Sequence, residues 1–157
     1  MNADELKEQE KYERCLKDIE ALVFQSGVVF QKMERDLHRR DGFSSSQTYL
    51  MSILFERGPA GCRMGEIGRL MNLEKSSVTR LVDNLVRDGM VSKVSDVDDK
   101  RAMRAVLTDK GRDAAQALRA GRRAFYSRLI GKLPRGHVRE VMDGFSKLVK
   151  ALDNKDY

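Results

Sequence analysis

Tryptophan is missing from this sequence, and cysteine, proline and histidine each occur twice in its 157 residues. Two cysteines, Cys15 and Cys62, cannot build a disulfide framework. His38 and His137 stand far apart, and no closely spaced pair of metal-type ligands accompanies them, so neither a metal site nor a cofactor is expected. Asp96, Asp98 and Asp99 look like the start of a calcium loop, but the glycine and closing glutamate that such a loop requires are missing. No glycine-rich phosphate loop follows a strand, and an enzyme is not expected. No apolar run approaches the ~20 residues needed to cross a bilayer. The start, Met1-Asn2-Ala3-Asp4-Glu5, is acidic and lacks a signal-peptide pattern, so a cytoplasmic location away from membranes is expected. Internal repeats and low-complexity linkers are absent too.

What is present is charge and helical periodicity. Charged residues make up 34% of the chain and the net charge is +6, which fits an anionic partner. The excess is uneven. Residues 1–62 hold 9 basic and 11 acidic side chains, residues 63–104 hold 9 and 7, and residues 105–157 hold 12 and 6. The length suits one domain with a buried core, and two prolines in so charged a chain favour helix.

A first helix is predicted from about Asp4 to Leu37, with Tyr12, Leu16, Ile19, Val23, Phe30 and Leu37 on one face. Leu22, Phe24, Val28 and Val29 thicken that face, which therefore needs cover from more than one side. In a small chain a second subunit is a natural cover. Ser44-x-x-Gln47 is a capping-box pattern opening a second helix to about Arg57, with Tyr49, Leu50, Ile53 and Leu54 inward. Gly58-Pro59-Ala60-Gly61 ends it. Thr108 is the expected N-cap of a helix running to about Ile130, although Gly111 stands where a capping box would need Glu or Gln. Gly131-Lys132-Leu133-Pro134 is the expected break, with Pro134 near the first turn of a last helix. That helix carries a regular stripe, Val138, Val141, Met142, Phe145, Leu148, Val149 and Leu152.

Between these lies the most informative stretch. Arg63 to Leu70 reads as a short helix (64–71 at its core), Met71 to Lys75 as a turn, and residues 76–88 as a second helix. Ile67, Leu70, Leu73, Val78, Leu81, Val82 and Leu85 fall at helical spacing on both sides of the turn and can close as one small core. Ser76, Ser77, Thr79, Arg80 and Asn84 are left on polar faces. A hairpin over 90–107 follows, with Asp99, Lys100 and Arg101 at its tip and Arg104 on the returning strand. A helix with small hydrogen-bonding side chains beside an arginine-tipped loop suits duplex DNA, the helix in the major groove and the arginine in a minor groove. The expected fold is mostly α with a small β-hairpin wing, a winged helix-turn-helix plus a helical dimerisation region. For DNA binding to hold, Glu66, Glu74, Asp83 and Asp88 must pair internally or lie away from phosphates.

Asp99-x-Arg101-x-x-Arg104, preceded by SSVTRLVDNLVRDGMV and followed by LTDKG, closely resembles the MarR family of bacterial transcriptional regulators. The resemblance is dense from about Met64 to Arg112. Lys93 stands where the family often has arginine, and the wing loop lacks the proline many members carry. The resemblance implies one domain in three parts: 1–40 for dimerisation, 41–112 for DNA binding and 113–157 for dimerisation. It implies a homodimer joined by first and last helices, and a small aromatic or phenolic effector between those helices and the reading head. Phe30, Met33, Arg35, His38, Arg39, Tyr49 and Ile53 are the candidate lining residues, the apolar ones being equally suited to core. Some relatives sense peroxide through a first-helix cysteine. Cys15 lies earlier along its helix, has acids as near as bases, and is read, like Cys62, as an ordinary partly exposed thiol.

The expected function is sequence-specific binding of double-stranded DNA by a ligand-responsive repressor, a homodimer on a pseudo-palindromic operator. Ser76, Ser77, Thr79 and Arg80 would meet bases and nearby phosphates. Arg101 would enter the minor groove, oriented by Asp99, while Lys100 and Arg104 would meet phosphates or brace the wing. Two other classes fit the same fold: a protein-interaction module that binds no DNA, and a sequence-indifferent architectural DNA-binding protein.

Overall fold

The computed structural model describes residues 3–96, 99 and 101–153. Helix α1 spans Ala3–Asp41 and α2 Ser45–Arg57, and a single 3-10 turn, Gly58–Ala60, leads into strand β1, Cys62–Arg63. Helices α3 (Met64–Met71) and α4 (Lys75–Arg87) are followed by strands β2 (Val91–Ser95) and β3 (Met103–Leu107), then by α5 (Asp109–Lys132) and α6 (Val138–Asp153). No described helix is long and apolar enough to cross a membrane.

The caps explain several boundaries. Ser44 accepts from the Gln47 backbone N–H and the Gln47 side chain accepts from the Ser44 N–H, the reciprocal box expected from the sequence. Thr108 caps α5 by accepting from the Gly111 N–H at 3.0 Å. Gly111 is glycine for a packing reason: a Cβ there would lie 1.8 Å from the Met90 carbonyl oxygen. Helix α5 thus starts jammed against the chain just before β2, and no Glu or Gln could complete a capping box.

The hairpin gains a third strand. The sheet order is β1-β3-β2, all antiparallel, with Val91 opposite Leu107 and Ser95 opposite Met103. Arg63, expected to open the short helix, is extended and pairs with Arg104. The preceding turn explains the difference. Gly61 adopts φ 60°, and a Cβ on it would sit 2.3 Å from the Ala105 carbonyl oxygen, so glycine lets β1 lie flush on β3.

The core is built from Leu50, Met51 and Leu54 of α2, Ile67 of α3, Val78, Val82 and Leu85 of α4, Ala105 and Leu107 of β3, and Ala115 and Leu118 of α5. Two expected members lie outside it. Tyr49 is 49% exposed and Met51 takes the inward place, because the buried face of α2 is centred on Leu50, Met51 and Leu54. Leu70 is 45% exposed, about 60° round from Ile67 in the last turn of a two-turn helix whose covered face is centred on that isoleucine. Pro134 does not open α6: α5 continues through Gly131 and Lys132, Pro134 starts a turn closed by His137 N–H to its carbonyl, and α6 begins at Val138.

Among the described residues the core takes nothing from α1 or α6. Leu16, Ile19, Val23, Phe24, Val28 and Phe30 on α1, and Val141, Met142, Phe145, Val149 and Leu152 on α6, all stand exposed. Phe30 and Phe145 meet with ring centroids 6.4 Å apart, which joins the two faces into one apolar surface.

Candidate nucleic-acid interface

Asn72 ends α3 in the left-handed conformation (φ 51°), which asparagine tolerates, and Leu73 N–H bonds back to the Gly68 carbonyl at 2.9 Å. This turn launches α4 across α3. Val78, Val82 and Leu85 point into the core, so the opposite face of α4 is turned outward by helical periodicity. Ser76, Thr79 and Arg80 are exposed there, and Ser77 and Asn84 are half-buried at its flanks. Ser76, Thr79, Arg80, Asp83 and Asn84 share one shallow surface with Glu74 and Lys75. The Thr79 hydroxyl donates to the Lys75 carbonyl (2.9 Å), which leaves its oxygen as an acceptor.

Two of the four acidic residues near this face, Glu66 and Asp83, are ion-paired. Glu66 pairs with Arg57 and Asp83 with Lys93, so the lysine at the departing position acts on a carboxylate of α4. Asp88 caps the far end of α4, where its carbonyl accepts from Lys110. Glu74 remains exposed at the N-cap, where the helix dipole favours a negative charge.

The wing is held by a residue that the sequence reading treated only as part of a turn. Asp96 is buried, 2% exposed. Its carboxylate accepts from Arg63 (two bonds of 2.7 Å), from Arg104 Nη1 (2.7 Å) and from the Asp99 N–H (3.1 Å). Its own N–H donates to the Ala102 carbonyl. A buried carboxylate stays charged when cations and hydrogen bonds surround it in this way. Three chain segments, the end of β1, the wing turn and β3, are tied at one point. The missed signal was the spacing of the aspartate from the two arginines, which becomes meaningful only once β1 is recognised as a strand.

Of the wing residues expected at DNA, Arg101 is exposed at the hairpin tip. Asp99 does orient this turn, though differently than expected: its Oδ1 accepts from the Arg101 backbone N–H at 2.9 Å. The side chain is two residues back, where a carboxylate closes most easily onto the main chain. Arg104 braces rather than reaches outward, with Nε donating to the Ala60 carbonyl (2.7 Å) besides its bond to Asp96. Lys100 lies outside the described residues.

A separate cavity of about 180 Å³ lies where α1, α2 and α5 meet. Of the effector candidates, Met33, His38 and Tyr49 line it, together with Leu37, Thr48, Arg122 and Tyr126, while Phe30, Arg35, Arg39 and Ile53 do not. Phe30 faces Phe145 instead. The α5 contributors were missed because nothing in the local pattern shows which side of α5 meets α2. Cys15 is exposed, but Cys62 is fully buried in the core rather than partly exposed. Burial, reinforced by Glu66, pushes its thiol up to about 11, which keeps it protonated and inert.

The MarR family profile matches residues 43–103. The chain is 33% identical to the uncharacterized HTH-type transcriptional regulator YkoM of Bacillus subtilis over 48% of this chain and 47% of that one. It is 23% identical to the HTH-type transcriptional repressor MdtR of the same organism (82% and 84% covered) and 27% identical to the transcriptional activatory protein BadR of Rhodopseudomonas palustris (84% and 75%). The match to YkoM thus spans about half of that protein, and the other two span most of theirs. The fold superposes on that of the Staphylococcus aureus MepR–DNA complex with a TM-score of 0.73 at 16% identity, covering 83% of this chain and 96% of that one. The sequence motif and the matched profile fall on the same segment, residues 43–103, over which the chain is similar to the MarR family, and the fold around that segment is the one MepR shows.

Proposed function

We propose that this chain is a sequence-specific, double-stranded DNA-binding transcriptional regulator, a repressor that acts as a homodimer on a pseudo-palindromic operator. One observation carries the reading: α4 turns a polar face outward and Arg101 is exposed at the tip of a wing that Asp96 ties to β1 immediately before the helix-turn-helix. A fixed distance between a major-groove reader and a minor-groove arginine is what recognition of a particular duplex requires. The names of MdtR and the MepR–DNA complex support it. Ser76, Ser77, Thr79 and Arg80 meet bases and phosphates, and Arg101 enters the minor groove. The exposed apolar faces of α1 and α6 are the surfaces on which a second copy packs. The cavity beside Met33, Tyr49, Tyr126 and Arg122 takes a single-ring aromatic anion, since cavities of roughly 150 Å³ accept a benzene-sized ring and Arg122 supplies a cation.

Footprinting on the DNA flanking the gene tests the reading. The expected result is a protected inverted repeat with half-sites about one helical turn, ~10 base pairs, apart. Preference over unrelated duplex should reach ~10³ or more at physiological salt. Uniform protection of all sequences would mark an architectural protein, and no protection at any salt a protein-interaction module.

A further inference from the structure

The reading head is not the most basic part of this chain. Residues 114–139, which run through α5 into α6, hold seven lysines and arginines and no aspartate or glutamate. Arg128, Lys132, Arg135 and Arg139 fall around the corner where α5 gives way to α6, and all four are exposed. That corner lies away from the DNA-reading surface. Helix α5 starts with Gly111 against Met90, beside the sheet, and its 24 residues lead ~36 Å away from it. Helix α1 travels the same way when followed back from its end. Arg40 lies 3.1 Å from where a Cβ on Gly121 would stand, Met33 and Tyr126 line one cavity, and Phe30 meets Phe145 of α6. The first half of α1 therefore lies toward the far end of the molecule, level with the corner or beyond it.

The charges of that first half are sorted by side. At ~100° per residue, Glu8, Glu13 and Glu20 fall within about a quarter turn of the apolar face formed by Tyr12, Leu16, Ile19 and Val23. Lys7, Lys11, Arg14 and Lys17 fall on the opposite side, mixed with Glu10 and Asp18. A side of mixed sign suits water, whereas an apolar face flanked by carboxylates alone is complementary to a cationic surface. Among the described residues, neither these three glutamates nor the four cations of the corner form an ion pair within the chain.

We propose that the cationic corner between α5 and α6 receives the first half of α1 from a second copy, with Glu8, Glu13 and Glu20 meeting Arg128, Lys132, Arg135 and Arg139. This rests on the homodimer reading above and adds to its apolar faces the contact that selects the partner. Two reading heads on one duplex lie at the same end of the dimer. The two-fold axis then runs from the heads to the far end, where both corners and both acidic half-helices come together. Symmetry makes two such contacts per dimer. Exposed ion pairs add little affinity, but like charges set against each other repel, so this contact governs which chains pair.

Charge exchange in the full chain tests this. The corner variant is Arg128→Glu with Arg135→Glu, and the helix variant is Glu13→Lys with Glu20→Lys. All four positions are exposed and none belongs to the core. Each variant alone sets like charges together at both contacts. Sedimentation equilibrium at about 100 mM KCl is expected to show self-association weakened at least roughly tenfold. Raising KCl to about 1 M, where screening acts within ~3 Å, is expected to restore much of it. Paired with each other, the two variants regain opposite charges at both contacts. Native mass spectrometry of the co-expressed pair is expected to show heterodimer well above the share that random assortment gives. If either variant alone loses its helical dichroism, the co-expressed pair carries the test, since opposed charges then return both chains to one folded dimer. Random assortment of the co-expressed variants, or parent-like self-association by each variant alone, overturns the contact and leaves the homodimer standing. A parent chain that sediments as monomer removes the homodimer reading, and the contact with it.

Discussion

Asp96 and Asp99 sit in the same turn, three residues apart, and divide its work. Asp96 is buried and ties the wing to the rest of the domain, while Asp99 is exposed and closes the tip through the Arg101 N–H. The side chain of Arg101 is thereby placed from its own backbone. In a narrow minor groove, where the negative potential is enhanced, a pre-set arginine gains more than a wandering one. Arg101→Ala is expected to weaken operator binding by about 1–3 kcal/mol, with helical content unchanged. Asp99→Ala should reproduce part of that loss although it removes a charge that repels DNA. Tighter operator binding by Asp99→Ala in a gel-shift titration would show that the carboxylate orients nothing. The tip was legible in the sequence because aspartate two residues before an arginine is a local feature. Asp96 was not, because its burial and its partners depend on Arg63, 33 residues away.

At the scale of elements, periodicity did well where one face decides the outcome. The helix pair α3 and α4, the capped start of α2 and the Thr108 cap of α5 all follow from side-chain spacing or cap chemistry. Two-residue β1 did not, since a strand that short has no alternation to read, and the register of β3 against it is set by the bare backbone at Gly61. Gly111 is the companion case. Its hydrogens touch the Met90 carbonyl, and the cap at Thr108 fixes the helix too firmly for it to slide away. Gly111→Ala should therefore destabilise the domain by about 3 kcal/mol, the upper end of overpacking costs, and lower Tm by roughly 10 °C. Gly131→Ala in the same helix meets open space and should raise stability by up to about 1 kcal/mol through helix propensity. Thermal melts followed by far-UV dichroism compare the two. Equal melting temperatures would mean that α5 can shift to admit a methyl group at residue 111.

The whole molecule separates a finished core from an unfinished surface. The core lies in the helix-turn-helix, its sheet and the first turns of α5, whereas α6 buries none of its residues in the single chain. Helix α1 is 39 residues long and carries apolar side chains around much of its middle, and Phe30 and Phe145 already stack one terminal helix on the other. An apolar surface this continuous is costly in water, and an interface built on it should resemble a divided core rather than a transient contact. Phe145→Asp is the economical test, because it puts a charge in the centre of the α6 stripe without touching the core. Sedimentation is expected to show the parent as a dimer and the variant as a monomer at the same concentration. Dichroism should show the helix-turn-helix still folded, since none of its buried residues contacts the change. Operator affinity should collapse far beyond the loss from any one side chain, because binding the second half-site is then no longer an intramolecular step. A Phe145→Asp protein that sediments as an intact dimer would move the interface away from α6. A monomer that protects the full operator as well as the parent would show that pairing of subunits is not what sets the spacing of the half-sites.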